Sequence, residues 1–183
     1  MDQEVIFLLD RSGSMGTRVQ ETLDGYNRFL AEHSQSGCRV TTVLFDDAYE
    51  VLYDGVPAAD AALSKRQYWV RGCTALYDAI GRAIMTVGTR HARMRPKDRP
   101  RTFLVILTDG YENASREYSS SRVRAMLDKQ RDKHGWEILF FGCDVDAALS
   151  ARELALPSQD VCSLSSDDGD YFDDLLSILN KRM

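Results

Sequence analysis

The sequence predicts an α/β fold in which a largely parallel sheet is covered by helices on both faces. Two short runs, V-I-F-L-L at residues 5–9 and F-L-V-I-L at residues 103–107, carry no polar face. That suits strands buried on both sides. Such runs alternate along the chain with longer segments of helical period, the pattern of a doubly covered sheet. Both runs also end in an acid followed by a tight loop, Asp10 and then R-S-G-S, Thr108-Asp109 and then Gly110. Polar chemistry therefore gathers at strand carboxyl ends, where open α/β sheets bind ligands.

The elements follow in order. After the first loop, Val19, Leu23, Tyr26 and Leu30 recur at helical spacing, with Thr17 as a candidate cap and an end near His33 and Ser34. Gly37 turns the chain into a second strand at residues 39–45, R-V-T-T-V-L-F. Residues 49–53 read as an antiparallel edge strand. The acids Asp46, Asp47, Glu50 and Asp54 around this turn suit either a solvated hairpin or a second cation site, and the hairpin is the expectation. Residues 57–65 are irregular or briefly helical. Gly72-Cys73-Thr74 then precedes a helix whose inner face holds Leu76, Ile80, Ala83, Ile84 and Val87.

Residues 90–101, R-H-A-R-M-R-P-K-D-R-P-R, form a basic connector with six bases and one acid. A solvated loop is expected there, since no aromatic residue offers a nucleic acid base a stacking platform. After the strand ending at Thr108, Ser119 or Ser120 caps a helix that carries Val123, Met126 and Leu127 and ends at Gly135. Residues 136–141 form a further strand, and a short helix runs from about 147 to 154. A last strand covers 160–164. Asp167, Asp168 and Asp170 then lead into a helix with Phe172, Leu175, Leu176 and Leu179 inside.

The chain has 183 residues, enough for one domain with a substantial core. Its 28 acids against 23 bases, a formal charge of −5, argue against general nucleic-acid binding. No stretch approaches transmembrane length. The residues preceding the first strand are acidic where a secretory signal would be basic, so a cytoplasmic location is expected. Cys38, Cys73, Cys143 and Cys162 form no C-x-x-C pair and read as reduced thiols, with Cys73 the one beside a candidate site residue.

Asp10, Ser12 and Ser14 put three oxygens at one strand tip, a donor type suited to hard cations. The three segments D-R-S-G-S, G-C-T-A and L-T-D-G, in this order, resemble the metal-ion-dependent adhesion site (MIDAS) of von Willebrand factor A (VWA) domains. The resemblance extends over nearly the whole chain, taken as one domain from 1 to 183. It implies a Rossmann-like three-layer sandwich without a dinucleotide, with a six-stranded sheet in the order 3-2-1-4-5-6 and strand 3 as the antiparallel edge. It also implies that Asp10, Ser12, Ser14, Thr74 and Asp109 hold one divalent cation, Mg²⁺ by preference, with Mn²⁺ and Ca²⁺ as alternatives.

By that resemblance the three hydroxyls touch the metal, and the two acids act through waters and hydrogen bonds that orient them. An ion held by neutral hydroxyls keeps much of its charge and accepts an Asp or Glu from a partner protein. The expected function is metal-dependent protein docking in intracellular complex assembly, not catalysis, with Arg11, Met15, Tyr77, Tyr111 and Glu112 as candidate rim residues. Oligomeric state is unreadable. Two other functions compete. A metal with an open position also serves hydrolases of the phosphatase type. Those, however, resemble D-x-D-x-T, and Ser12 stands where the second acid belongs. Nucleic-acid binding through residues 90–101 is the third.

Overall fold

The hydrophobic runs pair into one six-stranded sheet. In the computed structural model, which describes residues 2–142, 145–163 and 171–183, the strands are β1 (Gln3–Asp10), β2 (Arg39–Phe45), β3 (Tyr49–Pro57), β4 (Arg101–Thr108), β5 (Glu137–Gly142) and β6 (Val161–Ser163). Their order is β3-β2-β1-β4-β5-β6, and only the β2–β3 pairing is antiparallel. This is the Rossmann-like arrangement expected. The chain winds from β1 out to β3, then crosses back to place β4 on the other side of β1. The crevice between those two strand tips is the switch point where such sheets receive ligands.

Alternation along the strands divides the core into two layers. Val5, Phe7 and Leu9 of β1, with Phe103, Val105 and Leu107 of β4, pack under α1 (Val19–His33) and α5 (Tyr171–Arg182). Phe7 meets Tyr26 and Phe29 edge to face at centroid distances of 5.2 and 5.1 Å. Ile6, Leu8, Leu104 and Ile106 face the other way, toward α2 (Leu76–Ala92), α3 (Ser120–His134) and α4 (Val145–Glu153). Each such fully buried side chain contributes roughly 1.5–3 kcal/mol of burial free energy. Helices α1 and α5 approach closely because Gly25 has no side chain: a Cβ there would collide with the Phe172 ring.

Several local expectations change. Thr17 caps nothing. The chain after Ser12 winds into a 3₁₀ turn over Gly13–Arg18, opened by the Met15 N–H bonding Ser12 O, and α1 starts only at Val19. Edge strand β3 runs on to Pro57, and β6 starts at Val161 and not at 160 because a 3₁₀ turn takes Ser158–Asp160. Ser119 does cap α3, accepting from the Arg122 N–H at 3.4 Å, and Gly135 ends it in the left-handed region at φ 66°. Cys143, Leu164, Asp167, Asp168 and Asp170 lie outside the described residues.

The basic connector is not simply solvated. Arg90 forks onto Glu4 at 2.6 and 3.0 Å and also reaches Asp54 at 3.1 Å. Arg101 reaches Glu137 at 2.5 Å, and the Arg99 Nε–H donates to the His91 carbonyl at 3.0 Å. Glu4 is itself fully buried, and Thr41 and His91 complete its hydrogen bonding at 2.7 and 2.8 Å. This cluster ties β1, β2 and the last turn of α2 together at the amino-terminal edge of the sheet.

Burial pushes the Glu4 carboxyl up, but hydrogen bonds from His91, Arg90 and Thr41 outweigh it and hold the group at about 2. A carboxylate with a lowered folded-state value stabilises the fold at pH above its unfolded value and loses that contribution as pH falls through the folded one. Stability should therefore decline by on the order of 3 kcal/mol as pH drops from about 4.5 to about 2. Glu4→Gln should cost about 3 kcal/mol at neutral pH, because it removes the buried carboxylate that Arg90 and His91 both engage and leaves Arg90 only Asp54. It should also flatten the acid limb of a urea-unfolding series over that window.

Candidate metal centre

Asp10 ends β1 with its carboxylate fully buried. Its Oδ1 accepts the Ser12 N–H at 2.7 Å, which bends the loop back over the strand tip, and its Oδ2 accepts the Thr108 hydroxyl at 2.6 Å from the end of β4. The acid thus clasps the two strands at the switch point. Burial pushes the Asp10 carboxyl up to about 6; the Thr108 and Ser12 hydrogen bonds resist this and the neighbouring Asp109 adds to it. Two acids near each other in a buried setting make a place that favours positive charge.

The hydroxyls converge above them. Ser12 Oγ and Ser14 Oγ lie 3.1 Å apart. A Cβ placed on Gly110 would stand 2.9 Å from Thr74 Oγ1, 3.2 Å from Ser14 Oγ and 3.8 Å from Ser12 Oγ. Two loops distant in sequence therefore bring three hydroxyl oxygens against one glycine of a third, with Asp109 immediately before it. Only glycine lets the β4 loop come so near. Asp109 is almost buried, and its Oδ2 lies 3.9 Å from Arg18 Nε. All five residues expected from sequence meet at this one tip. The set offers oxygen donors alone, the chemistry that suits a hard divalent cation. Among the described residues no group of three or more His, Cys, Asp or Glu side chains forms a metal cluster.

The loops are held by residues whose roles the sequence reading mistook or missed. Asp46, read as part of a solvated hairpin, is fully buried just beyond the tip of β2. Its Oδ2 accepts from Arg11 Nε at 2.8 Å and from Arg71 Nε at 2.7 Å. Arg11 also reaches Glu50 at 2.6 Å. Asp46, Glu50 and Asp54 are thus engaged by guanidinium groups, while Asp47 lies against Gly72, and among the described residues these acids form no second cation cluster. Burial pushes the Asp46 carboxyl up, but the Arg71 hydrogen bond, the Ala48 N–H and Arg11 together bring it below its ordinary range. The signal was present: β2 ends in an acid in the same way as β1 and β4.

Arg11 and Met15, expected on the rim, are buried, Arg11 in this ion pair and Met15 in the core beneath α1. Glu112 is likewise structural. It accepts the Tyr77, Ala114 and Ser115 N–H groups and so seals the start of α2 against the loop after β4. Asn113 accepts the Thr74 N–H at 3.0 Å and returns its own N–H to the Thr74 carbonyl at the same distance. Tyr68 donates to the Asp10 carbonyl at 2.5 Å. Gly72, at φ 65°, has no room for a Cβ because the Asp47 carboxylate occupies that space. Tyr77 and Tyr111 both donate to Glu153 of α4, and of the expected rim Tyr111 remains substantially exposed. Cys73 is exposed beside Thr74.

The sequence matches the von Willebrand factor type A domain over residues 4–177. The chain belongs to that family. Solved VWA-type structures share its fold. A domain of the type V pili tip protein Mfa5 from Porphyromonas gingivalis superposes with a TM-score of 0.74 at 12% identity, covering 98% of this chain and 95% of that one. The manganese-loaded TRAP protein of Plasmodium vivax gives 0.70 at 15% identity, covering 97% and 72%. The mussel byssus protein PTMP1, in a structure with a zinc-occupied MIDAS motif, gives 0.68 at 20% identity, covering 98% of this chain and 44% of its own. The chain thus spans less than half of PTMP1. No curated protein matches the sequence. VWA domains act in adhesion and protein binding and are generally not enzymes. Among the described residues of this one, no helix is long and apolar enough to cross a membrane.

The Asp46 ion pairs carry a stability prediction. Asp46→Ala would take from Arg11 its buried charge partner and leave only the half-exposed Glu50 carboxylate, a change that costs about 3 kcal/mol. A denaturant titration should show that loss, and Glu50→Ala, which removes an exposed partner, should cost under about 1 kcal/mol.

Proposed function

We propose that this VWA domain is a metal-dependent protein-docking module in which Asp10, Ser12, Ser14, Thr74 and Asp109 hold one divalent cation. The observation that carries the reading is the meeting of the Ser12, Ser14 and Thr74 oxygens against Gly110. Ser12, Ser14 and Thr74 supply neutral donors. Asp10 fixes the first loop by accepting the Ser12 N–H and the Thr108 hydroxyl, and Asp109 adds negative charge beside the cluster. The cation, when bound, supplies a Lewis-acidic position for a carboxylate from a partner protein. Oxygen donors favour Mg²⁺, with Mn²⁺ and Ca²⁺ as alternatives. The family's record in adhesion and protein binding supports docking over catalysis. Cys38, Cys73 and Cys162 are free thiols, which suits a reducing, intracellular setting.

Titration calorimetry with Mg²⁺, together with pull-downs in Mg²⁺ or EDTA, tests this. Asp10→Ala should abolish measurable Mg²⁺ binding and partner capture while the far-ultraviolet circular dichroism stays that of a folded domain. Gly110→Ala pushes a methyl among the hydroxyls and should weaken Mg²⁺ about 10–100-fold. Wild-type Mg²⁺ affinity in both variants, or capture that persists in EDTA, would remove the reading.

A further inference from the structure

A second site lies at the opposite end of the molecule. Helix α2 begins beside Thr74 and ends at Ala92, so its last turns sit beyond the amino-terminal edge of the sheet, as do those of α3. Between them opens a cavity of about 350 Å³. That is within the size range of small-molecule sites. Its walls are apolar: Ile84, Gly88 and Ala92 of α2 on one side and Trp136 at the foot of β5 on the other. Met85, half exposed, stands at the mouth.

Two features give this cavity a preference. The first is charge. Arg99, Lys129 and His134 line it and no Asp or Glu does, although the chain as a whole carries a formal charge of −5. Among the described residues neither Lys129 nor His134 has a hydrogen-bond or ion-pair partner, and Arg99 spends only its Nε–H, on the His91 carbonyl. The second is Gln130. It is more than nine-tenths buried, lines the cavity, and its side-chain amide has no hydrogen-bond partner among the described residues. The amide lies against Gly88, where a Cβ would stand 3.6 Å from Nε2. The polar atoms of the amide open onto the cavity and are not sealed from solvent, so a ligand that enters there can bond them.

We propose that this cavity binds a small organic anion with a flat apolar body. The anionic group would face Lys129, His134 and the free end of the Arg99 guanidinium. The apolar body would lie between Gly88 and Trp136, with Gln130 bonding a polar edge. The site is separate from the hydroxyl cluster and needs no metal.

The chain's two tryptophans, Trp69 and Trp136, make the test direct. In Trp69→Phe protein the remaining indole lines the cavity. Titration with anilinonaphthalene sulfonate should give saturable energy transfer from Trp136, with a Kd on the order of tens of micromolar. EDTA should not alter it. Anilinonaphthalene without the sulfonate should bind at least about tenfold more weakly, and Lys129→Glu should weaken the sulfonate about tenfold. Gly88→Leu should fill the cavity and remove binding. Lys129 is exposed, so its variant keeps the test decisive if Gly88→Leu fails to fold. Absence of saturable binding at millimolar probe, equal affinity for the neutral analogue, or wild-type affinity in Lys129→Glu would overturn the proposal.

Discussion

The geometry of the hydroxyl cluster depends on one buried ion pair. Arg11 leaves the β1 tip and meets Asp46 at the β2 tip, and Arg71 joins the same carboxylate oxygen from the loop that carries Thr74. Backbone bonds run in parallel: Arg11 N–H to the Phe45 carbonyl, Arg71 N–H to the Arg11 carbonyl, Ala75 N–H to the Asp46 carbonyl. Desolvating an arginine and an aspartate is expensive, and such a pair contributes little net stability against an apolar replacement. What it supplies here is position. A loop anchored by charge at Arg11 and by the Gly13 N–H on the Gly72 carbonyl has few alternative arrangements, and Ser12 and Thr74 are thereby brought to one place.

The rest of the site follows from that anchoring and from the sheet. Parallel pairing of β1 with β4 sets Asp10 beside Thr108, and their hydrogen bond closes the strand tips. Glu112 and Asn113 then lock the β4 loop onto the start of α2, which carries Thr74 in from the third side. Gly110 is the point of closest approach. The oxygens are held by bonds made beneath and behind them, so the cluster is organised before any ligand arrives. Preorganisation of this kind lowers the ordering cost of binding.

The two ends of the molecule carry different chemistry. The carboxyl edge of the sheet gathers acids and hydroxyls around a polar cleft. The amino-terminal edge buries Glu4 under Arg90 and His91, and beside that cluster Lys129 and His134, without partners among the described residues, line an apolar cavity. Helix direction contributes to the difference, since α2 and α3 present their amino ends to one edge and their carboxyl ends to the other. Bases near helix carboxyl ends complement the dipole, which explains why positive charge collects there.

By itself the sequence determined the sheet and its strand count, which were legible because they rest on a local pattern: all-apolar runs bounded by turn residues. That Asp10, Ser12, Ser14, Thr74 and Asp109 come together followed from the resemblance of three short segments to the VWA family, since no local pattern joins residues so far apart in the chain. The tertiary structure decided the fate of the charges. Asp46, Glu4, Arg11 and Arg90 all look like surface residues in a string of letters, and all are engaged in ion pairs with residues 35 or more positions away. Met15, read as a rim residue, packs under α1 because the 3₁₀ turn rotates it inward. A side chain's charge is written in the sequence, but whether it faces water or a distant counter-charge depends on which strands become neighbours, and that is settled only when the chain has folded.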